Sequence, residues 1–165
     1  MTLLLTLAAL WPVGPAGPAG APPPEILRGW QPPAGPYGPG HRGVDLAAPP
    51  GAPVRAPVAG TVSFAGPVGG RGVLTLTLPG TGAPPLRTTF SPVTPLVRAG
   101  TRVAAGTPVA LVAPGTHCPE TCLHWGLLRG GTYLNPLVLV RRAPSRLLPV
   151  GDGSGGAVPI RPGSR

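Results

Sequence analysis

The 165-residue chain contains no lysine; all 13 of its basic residues are arginine. A carrier domain that holds biotin or lipoate on a lysine is therefore excluded. Acids are scarce as well, with four against 13 bases and a net charge of +9. Two accounts cover this imbalance: the compositional bias of a GC-rich genome, and attraction to a polyanion such as a cell-wall polymer. Aromatic residues make up 4% of the chain. The arginines are scattered, with only Arg141 and Arg142 adjacent, and they do not alternate with aromatics. That argues against a nucleic-acid platform. No run of about 18 apolar residues occurs, which excludes an integral membrane helix. Nearly every window of ten residues holds Gly or Pro, and both break helices, so a large helical bundle is excluded too.

What is abundant is Gly (27) and Pro (28), in a chain whose apolar fraction is still 42%. Pro and Gly at this level without a period usually flag disorder. So many Val and Leu point the other way. Together they predict one compact, loop-rich, mostly β domain between Pro/Gly-rich ends. Residues 2–11 are a short apolar stretch, and a small-residue site follows at Ala19-Gly20-Ala21. This has the form of a secretory signal peptide without a basic start, so residues 1–21 are assigned as a leader and the protein as exported. The domain is placed at 22–142. Residues 143–165, rich in Gly, Pro and Ser, are read as a flexible tail.

Short strands with turn punctuation are predicted at Val58–Phe64, Val73–Leu78, Leu86–Phe90, Val109–Val112, Leu123–Leu128 and Leu137–Val140. The second alternates with period two, and the spacing is that of a small antiparallel sheet, sandwich or barrel. Within this frame His41-Arg42-Gly43-Val44-Asp45 carries a His and an Asp four apart. On a strand both face the same side. His124 lies in another apolar strand. Two imidazoles and a carboxylate are a sound Zn²⁺ ligand set that leaves a fourth tetrahedral position for water. On spacing alone, a solvated His-Asp pair and a satisfied core His account for the same residues.

Four segments together resemble the M23 metallopeptidases, the lysostaphin- or LytM-like peptidoglycan endopeptidases. Gly40–Leu46 is similar to the family's H-x₃-D box, and Pro49–Val62 to the hairpin that follows it. Val97–Val109 resembles the turn-containing segment before the last motif. Cys122–Leu127 stands in the place of the H-x-H box. The likeness runs from about Trp30 to Val140. It implies an all-β fold of the M23, duplicated-hybrid-motif type. It also implies a zinc cofactor held by His41, Asp45 and His124, and a peptidoglycan substrate outside the cytoplasm.

The sequence departs from that pattern at two places. Cys122 replaces the first His of the H-x-H box, and Thr89–Val93, where a second catalytic His is expected, has none. His117 is the remaining imidazole and the candidate replacement base. Cys122 has three fates: a disulfide with Cys118, a fourth zinc ligand, or a free thiol. Trp125 is a candidate substrate-groove residue or a core residue. Trp30 and Tyr37 are candidates for a groove wall. Two functions follow. One is a secreted zinc endopeptidase that cuts the peptide cross-links of cell-wall peptidoglycan. The other is a catalytically impaired relative that binds wall or regulates a partner hydrolase.

Overall fold

The computed structural model describes residues 10–14, 22–35, 37–115, 118 and 121–140. The expected tail, most of the expected leader, and His117 lie outside these residues.

The described chain is almost entirely antiparallel β structure. It runs β1 (Ile26–Arg28), β2 (Gly43–Ala47), β3 (Pro53–Arg55), β4 (Gly60–Val68), β5 (Arg71–Leu78), β6 (Leu86–Ser91), β7 (Val93–Pro95), β8 (Arg102–Val103), β9 (Pro108–Val112), β10 (Cys122–Arg129) and β11 (Thr132–Leu134). A large sheet has the order β1-β2-β10-β6-β5-β4-β8, with β11 paired to β10 beyond the end of β2. A second sheet has the order β3-β9-β7. Among the described residues no helix is long and apolar enough to cross a membrane.

Alternation explains the large sheet. On β10, Leu123, Trp125 and Leu127 point to one face and are fully buried, while Cys122, His124 and Gly126 point to the other. Val44 and Leu46 on β2, Phe90 on β6, and Leu74, Leu76 and Leu78 on β5 join the same apolar face. Val54, Val93, Val109 and Val112 of the small sheet complete the core. Each such side chain contributes roughly 1.5–3 kcal/mol on leaving water. The β4–β5 hairpin turns on Gly69 (φ 58°) and Gly70 (φ 76°), between the paired residues Val68 and Arg71. Two successive positive φ values define the tight turn that matches strand twist, and glycine adopts them without steric cost.

Of its two readings, groove or core, Trp125 takes the second and does not line a substrate groove. It is fully buried, and its indole N–H donates to Thr88 Oγ1 at 2.7 Å. Trp30 packs against the core and Tyr37 is fully exposed. The strand expected at Leu137–Val140 is instead a 3₁₀ turn over Pro136–Leu139. Asn135 caps it, with its side-chain oxygen accepting from the Leu137 N–H at 3.0 Å. Pro136 sits at the first position, where its fixed φ favours the turn.

Inside the expected 1–21 leader, Leu10–Gly14 is docked on the domain. Val13 is buried in the core, and the Trp11 ring meets Trp125 edge-on at 6.2 Å between centroids. The Leu10 N–H donates to the Pro57 carbonyl at 3.0 Å, and the Arg55 N–H to the Pro12 carbonyl at 2.8 Å.

Candidate metal centre

The site lies on the face of the large sheet opposite the core. His124 is the register partner of Asp45 on β2 and of Ser91 on β6. Register partners project to the same side, so the three form a row across adjacent strands. His41 stands four residues before Asp45, at an isolated bridge to Gln31. Its N–H donates to the Gln31 carbonyl at 2.9 Å, and its carbonyl accepts from the Gln31 N–H at 3.1 Å. The backbone on both sides of the His41 side chain is thereby fixed.

Asp45 is 1% exposed and His41 5% exposed, while the His124 side chain keeps 21% of its surface. One carboxylate oxygen of Asp45, Oδ1, lies 3.1 Å from His41 Nε2 and 2.8 Å from His124 Nδ1. The two imidazole rings meet near perpendicular, 5.0 Å between centroids. An anion buried this deeply needs a compensating charge.

The other ring nitrogen of His41 identifies what fits. Nδ1 lies 2.7 Å from the Gly29 carbonyl oxygen, so it is the nitrogen that carries hydrogen and donates. Nε2 is then directed at Asp45 Oδ1, the arrangement in which both atoms can donate to one cation. An imidazole N–H held by a carbonyl behind the ligand is the usual support of a metal-bound histidine. Two nitrogens and one oxygen, all within 4.8 Å of one another, match the ligand types and number of an open zinc site.

Gly43 supplies the remaining requirement, space. It neighbours Gly126 on β10, and a Cβ built at Gly43 would lie 2.7 Å from His124 Nε2 and closer still to the Trp125 carbonyl oxygen. Any larger residue there presses on both the imidazole and the β10 backbone. The Gly-flanked box was visible in the sequence, but this reason for the glycine was not. The Gly29 carbonyl was missed as well, because a backbone acceptor leaves no residue-type signal.

Cys122 is fully buried on the site face and is bonded to Cys118. Of its three expected fates the disulfide is the one present, and a disulfide sulfur is neither an acid–base group nor a thiolate ligand. Cys122 therefore does not take the place of a catalytic histidine. Among the described residues the only imidazoles at this centre are His41 and His124.

The antiparallel β domain thus carries, on the sheet face opposite its core, a His-Asp-His cluster that could hold a metal ion. The family model for peptidase family M23 matches residues 39–136, and the chain belongs to that family. Uncharacterized proteins of Mycobacterium tuberculosis and Mycobacterium bovis are each 42% identical to it over 135 residues. These alignments cover 78% of this chain and 53% of each relative, so the chain spans about half the length of the curated relatives it matches. Among solved structures, a zinc-containing peptidase from Vibrio cholerae superposes with a TM-score of 0.60 at 22% identity, over 80% of this chain and 39% of the other. The catalytic domain of the antimicrobial peptidase lysostaphin from Staphylococcus simulans gives 0.60 at 22% identity, over 71% and 92%. At these identities the likeness establishes a shared fold.

Proposed function

We propose that the protein is an exported zinc metalloendopeptidase acting on the peptide cross-links of cell-wall peptidoglycan. The observation that carries this reading is the buried Asp45 oxygen set between two imidazole nitrogens at 2.8 and 3.1 Å. His41, Asp45 and His124 would hold the ion. When bound, zinc supplies Lewis-acid polarisation of a scissile carbonyl and an acidified water. The chain's own residues do the rest. The Gly29 carbonyl holds the His41 tautomer with Nε2 directed at the centre. Gly43 keeps the space in which His124 sits. Ser91, the β6 register partner of His124, is on the same face and only partly covered, so it would be a polar neighbour of a bound peptide. The net charge of +9 favours approach to an anionic wall.

A specific observation supports a second reading. No imidazole beyond His41 and His124 stands at the centre among the described residues, and positioned acid–base groups typically contribute about 10²–10⁴-fold. His117, outside the described residues, remains the proposed base. Without such a group the domain is an impaired relative that binds wall or regulates a partner hydrolase.

The test uses the full chain, because Trp11 and Val13 pack into the fold. Zinc-loaded protein is incubated with purified peptidoglycan, and released peptides are read by mass spectrometry. Release that disappears in His124→Ala supports the peptidase; release lost in His117→Ala assigns the base. A folded protein that holds one zinc and releases nothing favours the binding domain.

A further inference from the structure

The Cys118–Cys122 disulfide lies against the metal centre. Both sulfurs and a carboxylate oxygen of Asp45 are within 4.8 Å of one another, and Asp45 is also the residue shared by His41 and His124. Cys122 is two residues from His124 on β10 and projects to the same face. The two clusters thus overlap at one carboxylate. We propose that reduction of this disulfide creates a second metal-ligand set, in which the Cys122 sulfur joins His41, Asp45 and His124 and closes the centre. The proposal rests on the zinc reading above.

The chemistry differs sharply between the two redox states. A disulfide sulfur has no anionic lone pair to give and is not a zinc ligand. A thiolate is among the strongest, binding at about 2.3 Å, against 2.0–2.1 Å for histidine nitrogen. Ligands around a tetrahedral zinc at those lengths lie roughly 3.3–3.8 Å apart. The Cys122 sulfur is within 4.8 Å of an Asp45 carboxylate oxygen but forms no such cluster with His41 or His124, so once its bond to Cys118 is broken its side chain must turn toward the two imidazoles to enter the coordination sphere. Three protein ligands leave an open position for chemistry, whereas four make a closed, structural site. The oxidised protein is then the competent form and the reduced protein the capped one.

The step balances with a dithiol as reductant. The dithiol gives two electrons and two protons; its two S–H bonds are replaced by one S–S bond. The Cys118–Cys122 bond is replaced by two S–H bonds. On entering the coordination sphere, the Cys122 thiol releases its proton to solvent. Cys118, half-buried and ahead of β10, stays a thiol and re-forms the bond on oxidation.

Cobalt(II) titrated into the intact chain reads the ligand set directly, without reference to activity. The oxidised protein is expected to give a cobalt spectrum of nitrogen and oxygen ligands only. After treatment with a phosphine, which does not itself supply a thiol, a sulfur-to-cobalt charge-transfer band is expected at one equivalent. Cys118→Ser leaves a permanent Cys122 thiol and should show the band without reductant, whereas Cys122→Ser should show it in neither state. Circular dichroism confirms that each variant is folded. Cobalt bound in both redox states with no sulfur band overturns the second ligand set and leaves the zinc reading standing. Cobalt bound in neither state overturns the zinc reading itself, and the proposal with it.

Discussion

The two faces of β10 carry side chains of opposite kinds. Leu123, Trp125 and Leu127 fill the core, while Cys122, His124 and Gly126 serve the site. One face is selected for volume, and even its polar members, Trp125 and Thr88, satisfy each other: the indole N–H donates to the Thr88 hydroxyl, which donates to the Gly126 carbonyl. The other face is selected for smallness and for lone pairs. A single eight-residue strand therefore separates stability from chemistry by nothing more than the parity of its residues. Substitutions on one face should change unfolding, and those on the other should change metal retention.

The largest expected effect breaks the core face. Leu74→Ala, at a fully buried position on β5, is expected to cost about 3–5 kcal/mol in denaturant unfolding while leaving zinc stoichiometry of the folded fraction at its wild-type value. Deleting residues 1–14 removes Trp11 and Val13 from the same layer and should cost roughly 2–4 kcal/mol. Intact mass of the exported protein, alongside that melt, tells whether these residues persist in the mature form. Gly43→Ala tests the other face. Its methyl group meets both the Trp125 carbonyl oxygen of β10 and the His124 ring, so zinc affinity in a chelator competition should fall about 10–100-fold, with some loss of stability from the shifted strand pairing. Asn135→Ala touches neither face. Loss of the cap on the 3₁₀ turn should lower stability by about 1 kcal/mol with no change in metal retention.

Much of this arrangement was legible in the residues. Short apolar or Thr-rich runs between Gly-rich turns located β5, β6, β9 and β10 nearly to their ends, with period-two alternation as the added signal for β5. The three metal-ligand candidates were legible as a ligand set of the right residue types, but spacing alone left a solvated pair and a core His equally open, and only the resemblance to the M23 motifs set them apart. The short strands β3 and β7 were not legible, since each is three residues long and contains a proline, which reads as a loop. Leu137–Val140 misled because its apolar run outweighed the Asn135-Pro136 pair that starts the turn. Trp125 was ambiguous until its register placed it on the core side. The docking of Leu10–Gly14 had no local signal, since an apolar N-terminal stretch has the same composition whether it is a leader or a packed segment.

The pairing of β10 has one more consequence. At His124 the strand is hydrogen-bonded on both edges, to β2 on one side and β6 on the other. Amides in such a position exchange with deuterium only when the sheet opens as a whole. His124 should therefore belong to the slowest-exchanging part of the domain, even without an ion present. A cation arriving there finds two of its three donors, Asp45 and His124, already held on paired strands. It incurs little ordering cost, and its affinity then reports the donor chemistry rather than the folding of the protein around it.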